Sequence, residues 1–188
     1  MFYEPGIYVG YTRPGEAKGN IGPEDTIETF LHTLGLGNEP RNPGGSDVTI
    51  ELRHHIDDSH IGDLMTLYRQ TYWAKDRREV DVRRMLQRTD LVFALVDTDS
   101  ERLVGFARVL TDTVYKAFVF DVMVHPEYRG RGLSGRLLTA ITSHPELETV
   151  KHFELYCRSD VVELYRKWGF GTELGGQIFM RREGKPRG

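Results

Sequence analysis

Residues 122–138 read VMVHPEYRGRGLSGRLL: an apolar, strand-like run, a glycine-rich turn, then a helix-like run with Leu133, Leu137 and Ile141 at every fourth position. The first N–H groups of a helix have no intrahelical partner, and the helix dipole favours an anion in front of them. Glycine lets such an anion approach the backbone, so residues 130–135 have the makings of a phosphate-binding turn, with Arg129, Arg131 and Arg136 adding positive charge. The same glycines read Gly130-x-Gly132-x-x-Gly135, the dinucleotide fingerprint, and Glu154 falls about 20 residues further on, where a ribose-binding acid belongs. Two features count against a dinucleotide. Residues 125–129 intervene between strand and turn, and hairpins rather than βαβ units precede it.

A second constellation is DVVELYRKWGF at residues 160–170. Asp160 and Glu163 have capping-box spacing. Val161, Leu164, Tyr165 and Trp168 fall on one helical face, and Gly169 is placed to end the helix. Tyr165 is therefore expected on the buried face, where a phenol needs a partner for its hydroxyl. For an isolated tyrosine, a core position with a backbone hydrogen bond is the ordinary outcome.

The elements that carry these residues follow from periodicity. Residues 48–52 alternate like a short strand. Asp58 and Ser59 offer an N-cap to a helix bearing Ile61, Leu64, Met65, Tyr68 and Tyr72. Residues 77–88 form an arginine-rich second helix. Strand-like runs at 91–97, 102–110 and 116–124 have connectors too short for parallel crossovers, so they are antiparallel hairpins. A helix at 133–142, a strand at 152–156, a helix at 160–168 and short strands near 171–174 and 177–181 complete an α/β chain with a mixed sheet.

The frame is a chain of 188 residues with 25 basic and 28 acidic side chains. A net charge of −3 leaves no global basic field for nucleic acid or anionic lipid. The single cysteine, Cys157, excludes an intramolecular disulfide and any multi-cysteine metal site. No apolar run approaches the roughly 20 residues needed to span a bilayer, and the start carries no secretory pattern. A cytoplasmic location without membrane partners is expected. Composition also divides the chain: residues 1–47 hold 9 of the 20 glycines, 5 of the 8 prolines and a net charge of −4. They read as an irregular N-terminal extension, with one helical stretch at 26–36 and a linker at 39–46. Residues 48–188 read as one catalytic-looking domain.

Taken together the two constellations resemble the GNAT acyltransferase superfamily, over residues 48–182. Arg129-Gly130-Arg131-Gly132-Leu133-Ser134 is similar to the superfamily's acetyl-CoA loop, (Gln or Arg)-x-x-Gly-x-(Gly or Ala), with Ser134 in place of Gly or Ala. Residues 164–170 resemble its Leu-Tyr-x-x-x-Gly-Phe ending. The resemblance implies a GNAT-like fold with a mixed sheet of six to seven strands flanked by about four helices. It implies acetyl-CoA as co-substrate and no metal, with the pyrophosphate on residues 129–135. The pantetheine would run beside Val122, Met123 and Val124, where this strand and the one at 152–156 splay apart. It further implies direct attack by an amine in a ternary complex, with Tyr165 matching the tyrosine that protonates the leaving thiolate. A phenol of pKa about 10 and a thiol of about 8.5 suit that transfer.

The base is less defined. Regular alternation puts Asp121 on the face of Ala117, Val119 and Met123. There apolar neighbours would raise its pKa and make it a base, directly or through water; equally, it would accept hydrogen bonds from a packed helix or loop. In several superfamily members the base-like carboxylate sits on the opposite strand face, which here carries Phe118 and Phe120. Tyr68, Tyr72, Trp73, Arg108 and Phe118 are candidates for the acceptor pocket, where an aromatic wall suits a cationic or aromatic amine; Tyr68 equally fits plain core packing. Arg77, Arg78, Arg83, Arg84 and Arg88 are expected on a solvated face. His54, His55 and His60 lack the spacing of a metal set, and Cys157 reads as a buried small hydrophobe. The expected activity is N-acetylation of a primary amine on a small molecule. Acetylation of a protein N-terminus or lysine, and a non-catalytic acyl-CoA-binding regulatory module, are the alternatives. A homodimer stays open.

Overall fold

A computed structural model describes residues 48–184. The N-terminal extension, residues 1–47, with its expected helix at 26–36 and linker at 39–46, lies outside the described residues. Five strands stand in sequence order across one sheet: β1 (Ile50–Arg53), β2 (Leu91–Asp97), β3 (Arg102–Thr111), β4 (Lys116–Val124) and β5 (His152–Glu154). The first four pair antiparallel, and β5 lies parallel to β4. The helices are α1 (Ile61–Arg69), α2 (Glu79–Leu86), α3 (Leu133–Thr142) and α4 (Val162–Arg166).

The central strands are apolar on both faces because helices cover both. Phe93, Leu95, Ala107, Val109, Ala117 and Val119 pack against Leu133, Leu137 and Ile141 of α3. Ala94, Val96, Leu103, Phe106 and Met123 pack on the other face, against Leu64, Leu67 and Tyr68 of α1 and Val82 of α2. Leu137 and Ile141 are fully enclosed, each stabilising the fold by roughly 1.5–3 kcal/mol.

Two irregularities of β4 shape the region that matters for function. First, Phe106 pairs with Met123 and Arg108 with Phe120, so Ala107 faces both Asp121 and Val122. This is a β-bulge, and Asp121 takes the left-handed conformation, with φ of 56°. The extra residue moves Asp121 off the Ala117 and Val119 face, where alternation had put it, to the face of Phe118, Phe120 and Met123. Second, β4 and β5 pair only at Lys116, Ala117 and Phe118, opposite His152, Phe153 and Glu154. Beyond that point β5 ends while β4 continues to Val124, and the two strands part.

The sheet has five strands among the described residues, not six to seven. The segments near 171–174 and 177–181 contain no strand. Gln177 N–H donates to Leu174 C=O across a turn holding Gly175 and Gly176, both at positive φ, but no ladder grows from it. An isolated two-stranded ribbon has little stability of its own, and the short β5 offers it almost no edge. The last helix is also shorter than expected. Asp160 does not cap it, because both of its carboxylate oxygens engage Arg158, at 3.0 and 2.6 Å. Lys167 is its C-cap, so Gly169, expected to end the helix as C′, comes two residues later, in the following turn at φ of 80°.

Candidate active site

The glycine turn is built to receive an anion. Gly130 and Gly132 both adopt positive φ, 74° and 72°, a region in which any other residue except Asn or Asp is strained. Gly132 is the N-cap of α3 and contributes no side-chain cap, which suits a ligand taking that place. A Cβ built on either glycine would meet no atom within 4 Å, so the space in front of the turn is open. Arg129 donates from Nε to the Val124 carbonyl at 3.3 Å, and burial lowers its pKa from the usual arginine value. Arg131 lies over the Tyr128 ring at 5.3 Å. Arg136 is turned away: its Nη1 donates to the Ile50 carbonyl at 2.8 Å.

The turn is moored from behind. Tyr128 donates its hydroxyl to Oδ2 of Asp97, at 2.6 Å, at the end of β2. The same carboxylate collects the Ser100 hydroxyl at 2.8 Å and the Asp99 N–H at 3.0 Å. These bonds hold the Asp97 pKa below the usual aspartate value, the Tyr128 hydroxyl most of all.

At the bulge sits a buried charge cluster. Oδ2 of Asp121 accepts from the Tyr68 hydroxyl at 2.9 Å, Arg77 Nη1 at 2.9 Å and Arg108 Nε at 2.7 Å. Burial alone would raise the Asp121 pKa, but hydrogen bonding and charge from Arg77, then Arg108, bring it below the usual value. The expectation of a raised pKa is thus overturned: the bulge turns the carboxylate away from apolar neighbours and onto two guanidiniums. Burial, then the Asp121 charge, pushes the Tyr68 phenol up, so it remains a proton donor to that carboxylate. Tyr68 and Arg77 were the members hardest to see from sequence. Tyr68 has the spacing of a core residue, and Arg77 precedes α2 among arginines that do face solvent, such as Arg83 with Glu79 and Asp58.

Next to the cluster stands an aromatic wall. Phe118 stacks on Phe120 at 4.7 Å, and both meet Tyr156, at 5.5 and 6.2 Å. Phe179 extends the row from Tyr156 at 5.8 Å. The guanidinium of Arg108 covers Phe120 at 4.4 Å, and that of Arg181 covers Tyr156 at 5.0 Å. Tyr156 and Phe179 are exposed, so the wall opens to solvent where β4 and β5 part.

Tyr165 is half-buried on α4. The helix is fixed on α3 by a Trp168 Nε1 to Thr139 Oγ1 hydrogen bond of 3.1 Å. Burial, then the neighbouring Cys157 and Tyr72, pushes the Tyr165 phenol well above its ordinary pKa. Among the described residues no group bonds its hydroxyl. Tyr72, past the end of α1, is exposed and meets Trp73 edge-on at 5.1 Å. Arg158 lies 5.3 Å from the Tyr72 ring. Tyr72 and Tyr165 are thus neighbours, with Trp73 edge-on beside Tyr72. Cys157, expected as a buried hydrophobe, is exposed, because β5 ends at Glu154 and the chain leaves the sheet before reaching it.

Known proteins share this architecture. The family model described as acetyltransferase (GNAT) family matches residues 61–170. The uncharacterized N-acetyltransferase ycf52 of Porphyra purpurea is 31% identical over 119 residues, 62% of this chain and 68% of that protein. Histone acetyltransferase TAP1 of Glycine max is 33% identical over 78 residues, 42% of this chain and 34% of that protein. A GNAT-family structure from Xanthomonas campestris pv. campestris superposes with a TM-score of 0.62 at 37% identity, covering 72% of this chain and 94% of that one.

Proposed function

The chain belongs to the acetyltransferase (GNAT) family and is an acyltransferase, and on that premise we propose that it acetylates the primary amine of a small molecule. Acetyl-CoA supplies the acetyl group, and its sulfur leaves as a thiolate when the amine attacks the thioester carbonyl directly in a ternary complex. The turn at Gly130 and Gly132 and the N-terminus of α3 hold the pyrophosphate. Val122, Met123 and Val124, which have no partner strand on the β5 side, hydrogen-bond the pantetheine through their backbone. One of these N–H groups faces the oxygen on which negative charge develops. Tyr165 gives its proton to the thiolate as the carbon–sulfur bond breaks, the attacking nitrogen releases one proton to water, and the phenolate takes one back from water to close the cycle. Asp121 is not that acceptor in this scheme. Ionised and tied to Arg77 and Arg108, it is a weak base, and it fixes the bulge from which the post-bulge backbone points into the cleft.

The observation that carries the small-molecule reading is the buried cluster of Asp121, Arg108, Arg77 and Tyr68 at the foot of the aromatic wall. Enclosed charges of this kind discriminate compact polar ligands. The name of the Glycine max relative favours a protein acceptor instead. Thiol release by the full chain with acetyl-CoA, against a panel of primary amines and a lysine-containing peptide, separates the two. We expect turnover with a small amine and none with the peptide; peptide turnover alone would reverse the assignment. For the donor site, Gly132→Ala places a methyl group at φ of 72°. The strain lowers stability by about 1–2 kcal/mol, and the cap no longer admits a phosphate. We expect coenzyme A to bind at least ~10-fold more weakly by calorimetry, as loss of a charge-assisted contact implies; undiminished binding would remove the turn from the donor site.

A further inference from the structure

Arg108 has hydrogen-bonding capacity that the protein itself leaves unused. Its side chain is only 8% exposed. Nε is engaged by Asp121, and the guanidinium face rests on Phe120. Nη1 and Nη2 donate to no residue among the described ones. They are not sealed in either, since the enclosed side-chain polar atoms without partners among the described residues are the two ring nitrogens of His60. A nearly buried guanidinium with four N–H groups unspent among the described residues is costly unless a ligand completes it. The charge balance says the same. Arg77 and Arg108 share one carboxylate, and all three of its bonds fall on Oδ2. Arg77 also lines a surface pocket with Asp76 and Asp81, whereas the Arg108 guanidinium forms no second ion pair among the described residues. Arg108 is the strand neighbour of Phe120, beside the bulge and the aromatic wall, on the side where the proposed reaction seats its amine.

We propose that the acceptor amine carries a carboxylate, which docks on Nη1 and Nη2 of Arg108 at the foot of the Phe118–Phe120 wall. The planar fork of a guanidinium matches a carboxylate through two parallel hydrogen bonds. A carboxylate also brings a single negative charge to the one guanidinium, whereas a phosphate monoester carries nearly two. The inference rests on the acetyltransferase reading and narrows its substrates to amino-acid-like amines. It makes Arg108 a specificity residue.

The test compares matched pairs with the full chain and acetyl-CoA: tyrosine with tyramine, tryptophan with tryptamine, alanine with ethylamine, and O-phosphoethanolamine with ethanolamine. The carboxylate member of the best pair should show at least ~10-fold higher kcat/KM, one good charge-assisted contact being worth that much. Arg108→Lys keeps the charge beside Asp121 but loses the fork. It should keep the melting temperature and lose most of the preference. A parallel arm needs no turnover: N-acetyl-L-tyrosine, with coenzyme A present, should raise the melting temperature of the wild type more than N-acetyltyramine does, and not that of Arg108→Lys. Equal rates within every pair, a phosphate preference alone, or equal thermal shifts overturn the proposal while leaving an acetyltransferase in place. Absence of thiol release from every amine, with the N-acetyl-L-tyrosine shift intact, supports the anion site and removes the small-amine function.

Discussion

Tyr165→Phe should lower kcat by about 100-fold, the lower range for loss of a general acid, and leave the KM for acetyl-CoA within about twofold. The substitution is clean because the hydroxyl bonds nothing among the described residues, while the ring's edge-on contact with Phe170, 6.0 Å away, is kept. The melting temperature should therefore not move. Burial next to Cys157 and Tyr72 holds the phenol above its ordinary pKa, so the wild-type group stays protonated throughout the range in which acetyl-CoA is handled. A donor with a raised pKa loses its proton only as pH rises through that raised value. The wild-type pH–kcat profile should thus show no alkaline decline below about pH 10, the ordinary tyrosine value. A stopped-flow measurement of thiol release decides it: a variant with unchanged kcat removes Tyr165 from the reaction.

Asp121→Asn should be the most destabilising single-atom change in the domain. It leaves Arg77 and Arg108 facing each other without a counter-charge. Removing one partner of a buried ion pair costs on the order of 3 kcal/mol, a fall in melting temperature of roughly 10 °C for a chain of this size. Asn tolerates the left-handed backbone at 121 nearly as well as Asp, so the loss reports charge rather than strain. The pH dependence fixes the sign. The folded pKa of Asp121 is depressed, so its contribution is complete above the unfolded value of about 3.9 and is lost as pH falls through the folded one. The gap between wild type and variant should be widest near neutrality and close below about pH 4. A gap independent of pH in calorimetric scans would mean that the carboxylate is not the stabilising group. Activity should fall as well, since the bulge orients the backbone of Val122 to Val124.

The parts of the site that depend on neighbouring residues in sequence were legible without coordinates. Gly130 and Gly132 announce their conformation by being glycine before a helix, and Tyr165 declares its buried face through Val161, Leu164 and Trp168. The parts that depend on long-range pairing were not. Nothing in KAFVFDVMV says that one residue is surplus to the ladder with β3, so uniform alternation sent Asp121 to the wrong face and to the wrong pKa. Arg77 stands in a run of arginines and is singled out only by the distance of its loop from β4. The two missing strands failed for a related reason: the apolar run Ile178-Phe179-Met180 is real, but a strand also needs a partner edge, and three residues of β5 do not supply one.

The surplus residue also gives β4 a phase. Before it, odd-numbered positions (Ala117, Val119) belong to the α3 side; after it, even-numbered ones (Val122, Val124) do. Removing Asp121 would restore a uniform rhythm: the residues after it would fall into step with Ala117 and Val119, and both apolar sets would stay inside. A further residue inserted between Phe118 and Val124 would instead invert one half of the strand. A library of one-residue length changes scored for soluble expression should therefore tolerate loss of a residue at the bulge better than gain of one.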